Sequence, residues 1–365
     1  TKKTFLESFA EMPGPKTNFN NKQASWLVWF MFIGVIPSVA GMGGLIGAVA
    51  ESGYLMISII SVETWVFLLC LITWLILYIG GYQSLEKILL AMVFTFSFVT
   101  LIIAIAMQST PFSIQAEDIL GGLSFKFPTE HTALALAVFG FTGISYGEIM
   151  AYTYWCKEKG YSNHDGDPKL VKNWIKTMQT DVWITVFLVT IGTIPFFLLG
   201  ASILNSQGLY PPPNGDIIQT LLVMFTSILG EWARWFFIPL TFFVLFSTFL
   251  SGTAAFTRTI SDYFISMGLI VEKGNTRQTL IHYIAFLIPA FSCLAYFILP
   301  NPILLLMIAG IWAALGLPIV NIGALYLVNK LDEGIQPSNL TKIILIITLV
   351  FQLGIAGLLI FSQMS

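Results

Sequence analysis

The segment FGFTGISYGEIMAYTYWCKEKGY, residues 139–161, places a carboxylate, Glu148, well inside a stretch that is otherwise apolar enough to cross a membrane. A charged side chain at such a depth is unfavourable by several kcal/mol unless it faces a cavity, a partner or an ion. Gly140, Gly143 and Gly147 surround the acid, and each glycine destabilises a helix by about 1 kcal/mol relative to alanine. The segment therefore predicts a transmembrane helix that is interrupted close to a functional acid. An alternative for the glycines is close helix packing, because Gly143 and Gly147 have the GxxxG spacing.

The rest of the chain is equally apolar. Of its 365 residues, 56% are hydrophobic and 10% are charged, a composition typical of a polytopic membrane protein. We predict an all-α, polytopic membrane helix bundle that forms a single transmembrane domain over residues 1–365. Nine runs are long enough to cross the ~30 Å hydrocarbon layer: about 25–50, 56–79, 86–108, 132–156, 178–204, 232–265, 278–299, 302–328 and 341–363. The weaker run before the sixth span is predicted to be an interfacial helix.

The distribution of basic residues supports this count. When the nine spans alternate across the membrane, all but two of the 17 lysines and arginines fall on one side. The exceptions are Lys126 and Arg234. Because cytoplasmic loops carry the excess of basic residues, we expect a cytoplasmic N-terminus and an extracellular or periplasmic C-terminus. The lipid bilayer of the plasma (inner) membrane is thus the expected environment.

Several classes of function lack their residues in this sequence. It contains no nucleotide-binding loop, no Ser/His/Asp arrangement, no HExxH motif and no tail suited to nucleic acid. Cys70, Cys156 and Cys293 stand too far apart in sequence for a zinc motif, and we expect them to be packing residues. We therefore expect neither an enzyme nor a bound cofactor, but a bundle that binds and passes a cation as its substrate.

The candidate metal ligands centre on Glu148. Backbone carbonyls exposed by a broken helix often hold ions near the middle of a membrane. We predict Glu148 as the ion-attracting carboxylate, and the second-line candidates are Thr142 and Asn321. The carbonyl ligands are expected at Ser145, Tyr146 and Gly147.

Three other features have simpler expected roles. Asp262 lies four residues after Arg258, so we expect a helical i,i+4 ion pair between them. The run GMGGLIGAVAES, residues 41–52, is expected to be a close-packing face. Acids near helix ends, Glu51 and Glu63 among them, are expected to be solvated or interfacial charges.

Segments over nearly the whole chain resemble the Nramp family of divalent-metal transporters, which has a LeuT-like fold within the amino acid/polyamine/organocation superfamily. The matching segments follow the family's order and are TFLESFAEMPGPK, GYQSLEKILLAMVFTFSF, GEIMAYTYWCKEKGY, NWIKTMQTDVWITVF and FSTFLSGTAAFTRTISDYF. Such a transporter has eleven helices in an inverted-repeat fold. The resemblance implies that helices 1 and 2 are absent here and that the fourth span corresponds to helix 6. The family's ion site lies between broken helices 1 and 6.

Two departures from the family bear on the substrate and on coupling. Tyr146, Gly147 and Glu148 stand near the family's Met-Pro-His positions, so the soft methionine sulfur is missing. Oxygen ligands favour a harder ion, Mg²⁺ or Mn²⁺ before Fe²⁺, and Mg²⁺ keeps several of its waters. Residues 25–50 and 283–299, in the spans that correspond to helices 3 and 9, contain no acidic or basic residue. We therefore expect alternating access without proton coupling.

Two alternatives remain open from the sequence. The first is a permease for amino acids or other organic solutes with the same fold, because a broken helix can also bind a carboxylate or an amine. The second is a truncated membrane bundle that transports nothing.

Overall fold

The computed structural model describes residues 3–80, 82–123, 132–142, 144–161, 167–212, 217–331 and 335–364. Within these ranges the chain forms helices and one small hairpin. Gly143 lies outside the described residues. The strands are β1 (Lys16–Phe19) and β2 (Lys22–Ser25); the helices are α1 (Phe5–Ala10), α2 (Trp26–Ile33), α3 (Val35–Met56), α4 (Val62–Ile79), α5 (Tyr82–Met107), α6 (Ala116–Gly122), α7 (Thr132–Phe141), α8 (Tyr146–Glu158), α9 (Pro168–Leu199), α10 (Ile217–Leu229), α11 (Arg234–Ser266), α12 (Thr276–Ile298), α13 (Pro302–Val328) and α14 (Asn339–Met364).

The described residues contain nine helical stretches that are long and apolar enough to cross a membrane, which confirms the predicted polytopic bundle. The first span is built from α2 and α3, which meet at Gly34. The fifth begins at Pro168, almost three turns of helix before the predicted start, because Asp167 caps it and proline fits its first position. Helix α10 has 13 residues and is too short to span, as predicted.

Helix α3 lies at the centre of the bundle. Its glycine-rich face packs directly on the backbones of α12 and α13, as the run 41–52 predicted. A Cβ added at Gly43 would lie 2.7 Å from the carbonyl oxygen of Ser292, and one added at Gly44 would lie 2.5 Å from that of Pro302. These approaches leave no room for larger side chains, so the small residues fix the separation of the three helices.

A hairpin and a short helix cover the end of the bundle at which the described chain begins. Strands β1 and β2 pair antiparallel around Asn20 and Asn21, whose φ angles of 48° and 60° fit a two-residue hairpin turn. The Asn20 side chain donates to the Gly268 carbonyl at 2.7 Å. In α1, the buried ring of Phe9 packs against Gly323 of α13. The β hairpin is the one departure from the predicted all-α architecture among the described residues, and it precedes the first span.

Candidate functional site

The fourth span is interrupted between α7 and α8. Helix α7 ends at Phe141 and α8 begins at Tyr146, which confirms the break predicted from the glycine cluster. At the end of α7, the Thr142 backbone N–H and hydroxyl both donate to the Val138 carbonyl, at 2.7 and 2.6 Å. The carbonyls of the last turn of a helix have no partner within that helix. The negative end of α7 therefore faces the break.

Glu148 lies in the first turn of α8, on the other side of the break. Its Oε2 accepts a hydrogen bond from the backbone N–H of Ser145 at 2.7 Å, and Ser145 and Glu148 form a capping box. The side chain is exposed on the surface of the described chain. Its carboxylate therefore stabilises the positive end of α8 and remains accessible from outside the helix.

The remaining residues of the predicted site have different surroundings. Tyr146 is buried, and a Cβ added at Gly316 of α13 would lie 2.6 Å from its ring. The Ser145 carbonyl accepts from the Ile149 N–H at 3.2 Å and so belongs to the hydrogen bonding of α8. Thr142, Ser145, Tyr146 and Gly147 lie at the break, and their roles as ion ligands stay predictions.

The two described glycines of the break serve different purposes. A Cβ at Gly140 would collide with the Gly310 carbonyl and lie 2.8 Å from the Ala314 nitrogen, so α7 is held against α13 by backbone contact. At Gly147 the nearest atom outside its neighbours is the Ser145 hydroxyl oxygen, 3.8 Å away. The close-packing interpretation thus fits Gly140, whereas Gly147 lies in open space.

Asn321 does not lie at the break. Its amide nitrogen donates to Oε1 of Gln352 at 2.8 Å, which links α13 to α14. Gln352 is buried, so this bond satisfies a polar group that would otherwise be costly inside the membrane. The structure gives Asn321 a helix-packing role, and its role as an ion ligand stays a prediction.

No three His, Cys, Asp or Glu side chains come together as a metal cage in the part of the chain that the structure describes. The break instead offers oxygen groups, namely the Glu148 carboxylate, the Thr142 and Ser145 hydroxyls and backbone carbonyls. Hard divalent cations accept such oxygen ligands.

The nine apolar helices found among the described residues agree with the comparison to known families. The family model for natural resistance-associated macrophage protein-like proteins, Nramp, matches residues 16–362. The chain belongs to the Nramp family. Nramp proteins are divalent-metal transporters and not enzymes, so membership makes metal-ion transport across a membrane the general function here. No curated protein matches the chain with significant similarity.

The far end of α8 in this Nramp chain is held by a buried acid that the sequence interpretation placed in a different pair. Asp262 of α11 has 2% of its surface exposed. Its Oδ2 accepts from the Thr4 hydroxyl and from the Tyr154 hydroxyl, each at 2.7 Å. Arg277 of α12 lies 3.4 Å from Oδ1. One carboxylate thus joins the segment before α1 to α8, α11 and α12.

The predicted ion pair between Arg258 and Asp262 is wrong. Arg258 instead binds the carboxylate of Glu158 at the end of α8, at 2.5 and 3.1 Å, and lies over the Trp155 ring. Local i,i+4 spacing favoured the helix neighbour, but the packing of α8 against α11 supplies a closer carboxylate. The contact of Arg258 with Glu158 and that of Asp262 with Tyr154 therefore both attach α8 to α11.

A third contact ties α8 to α1. The Glu7 carboxylate lies 3.4 Å from Lys157 and accepts from the Thr4 N–H at 2.5 Å. Partial burial alone would raise the pKa of Glu7, but the Thr4 N–H and the charge of Lys157 outweigh it, and the pKa is lowered. The tetrapeptides TFLE (4–7) and SYGE (145–148) both carry the capping-box pattern, which could have located these helix starts from sequence.

Proposed function

We propose that this protein carries a hydrated divalent cation, Mg²⁺ or Mn²⁺ in preference to Fe²⁺, through the membrane by alternating access, with the cation held at the break between α7 and α8. The observation that carries the proposal is the position of Glu148. Its carboxylate and the carbonyl end of α7 present negative charge to the same gap.

The same geometry argues against a permease for anionic solutes, although a substrate amine would be compatible with Glu148. A broken-helix permease binds a substrate carboxylate with the free N–H groups at a helix N-terminus. Here Glu148 already accepts from the Ser145 N–H at the start of α8. An anionic substrate would meet a carboxylate of its own charge, and repulsion would exclude it.

The packing suggests which part moves. Helix α7 is fixed to α13 through the backbone contact at Gly140 and Gly310. The far end of α8 is held by polar contacts that can break and reform, among them those of Asp262, Arg258 and Lys157. We infer that α8 pivots about Gly147 while α7 stays with the scaffold.

The driving force follows from the membrane potential. Because the cell interior is negative, a divalent cation that moves inward gains about 4.6 kcal/mol per 100 mV. Residues 25–50 and 283–299, in the spans that correspond to helices 3 and 9 of the family, contain no acidic or basic residue that could relay a proton. Facilitated flow down this potential therefore accounts for transport without a proton.

The test is Mn²⁺ and Mg²⁺ flux into proteoliposomes that contain the protein expressed from its full reading frame. Glu148→Gln keeps the size of the side chain and removes its charge, and we expect about tenfold or greater loss of flux because ligand charge sets cation affinity. Glu117→Gln, an exposed acid on α6, is the matched control and should transport normally. Unchanged flux in Glu148→Gln would refute the site. Amino-acid uptake without cation flux would favour the permease.

A further inference from the structure

A second set of acidic groups lies away from the α7–α8 break, where α3 ends and α4 begins. A cavity of about 460 Å³ opens there between α3, α4, α10 and the loop that joins α12 to α13. None of the residues that line it within the described chain is basic. Its polar lining consists of Glu51, Tyr54, Glu63, Gln219, Tyr296 and Asn301.

The two carboxylates of this cavity have different environments. Glu51 is 8% exposed, and its Oε1 accepts from the Ile218 N–H at the start of α10, at 2.8 Å. Glu63, in the first turn of α4, is exposed. One acid is thus fixed in the wall of the cavity and the other is free to move at its rim.

Tyr296 supplies an independent observation. Only 8% of its surface is exposed, because its ring packs over Gly47, where an added Cβ would lie 2.5 Å away. Tyr296 lines the cavity together with Glu51 and Glu63. No hydrogen bond to its hydroxyl is formed by the described residues. A largely buried tyrosine that lines a cavity and has no protein partner for its hydroxyl is the environment of a group that binds a ligand or an ordered water.

We propose that this cavity is a second cation-binding site, which takes a hydrated divalent metal ion between Glu51, Glu63 and the Tyr296 hydroxyl. The volume accommodates an ion with its shell of about six waters. Hydration also explains why the ligands need not converge at direct coordination distance, since waters can bridge each oxygen to the metal.

The role of the site rests on the proposed transport function and its orientation. With the N-terminus in the cytoplasm, the cavity lies on the outer face of the membrane. A cation held in it is therefore close to the side from which an imported ion enters the bundle. Acids that line a low-dielectric pocket raise the local concentration of a cationic substrate. Glu51 also accepts from the Ile218 N–H at the start of α10, so an ion bound to Glu51 would affect how α10 is held at the outer end of the bundle.

The test counts bound Mn²⁺ by electron paramagnetic resonance on the intact protein in nanodiscs, with no transport step. Wild type should bind two ions. Glu63→Gln should weaken one by about tenfold, because ligand charge sets affinity, and should leave the other unchanged. Tyr296→Phe should lower the affinity for the same ion. In the double variant its effect should not add to that of Glu63→Gln. Glu63 is exposed, so its substitution should not disturb folding.

Glu148→Gln separates this inference from the proposed function. In the Glu148→Gln variant, adding Glu63→Gln should weaken binding of the remaining ion by the same factor of about ten, whereas adding Glu117→Gln should have no effect. If Glu148→Gln binds Mn²⁺ like wild type while Glu63→Gln weakens one ion, the site at the break fails and the outer site stands. If neither Glu63→Gln nor Tyr296→Phe changes Mn²⁺ stoichiometry or affinity, the outer site is refuted.

Discussion

Substituting Tyr154 by phenylalanine removes one hydroxyl from the buried carboxylate that holds α8 to the scaffold. The lost hydrogen bond is 2.7 Å long, and its acceptor, Asp262, is almost fully enclosed. Hydrogen bonds to charged groups contribute about 1.5–3 kcal/mol. Each 1.4 kcal/mol is a factor of about ten in an equilibrium, so the released population of α8 should rise about 10- to 100-fold. Arg277 still pairs with Asp262 and the Thr4 hydroxyl still donates to it, so the fold should survive.

Hydrogen exchange of the peptide that covers residues 152–158 measures this release, because exchange through opening follows the opening equilibrium. We expect exchange to be faster by the same factor in Tyr154→Phe. Tyr152→Phe is the matched control, because the buried Tyr152 hydroxyl has no hydrogen-bond partner among the described residues. Exchange equal to wild type in Tyr154→Phe, or equally fast in both variants, would refute the idea that Asp262 holds α8.

Three further predictions follow from the packing and charges. Gly140→Ala should lower the stability of the detergent-solubilised protein by about 1–3 kcal/mol, since a Cβ there meets backbone; Gly147→Ala should not collide, and a thermal-unfolding series compares the two. Because the pKa of Glu7 is lowered in the folded state, its ionised carboxylate contributes to stability above the unfolded pKa, and this contribution is lost as the pH falls through the folded pKa. Limited proteolysis of the N-terminal segment should therefore become faster in that acidic range. A double-mutant cycle of Asn321→Leu and Gln352→Leu should give a coupling of about 0.6 kcal/mol, the mean for such pairs in membranes; additive effects would contradict the contact.

The spans and the break could be predicted from sequence because both depend on local composition. Long apolar runs have one low-energy structure in a bilayer, a helix, and a cluster of glycines weakens that helix where it stands. The capping box SYGE also fixes the start of α8 locally.

The partners of the charged groups could not be predicted in the same way. Asp262 binds Thr4 and Tyr154, which are 258 and 108 residues away in sequence. Spacing along α11 pointed to Arg258, whose carboxylate partner lies 100 residues away on α8. Asn321 was a candidate ligand because an amide inside a kinked span is typical of an ion site. Its bond to Gln352 depends on how α14 packs against α13, which no local sequence pattern encodes.

The capping bond between the Ser145 N–H and Glu148 has a kinetic consequence for a carrier. If the cation proposed for the break binds Oε2 of Glu148, it must compete with the Ser145 backbone amide, which lies 2.7 Å away and is part of the same chain, so it cannot diffuse off. Such an internal competitor lowers the residence time of the cargo, because the amide recaptures the oxygen whenever the ion loosens. Such a carrier binds its ion less tightly but releases it faster. Its transport rate should depend on how readily the hydrogen bond between the Ser145 N–H and the Glu148 carboxylate re-forms.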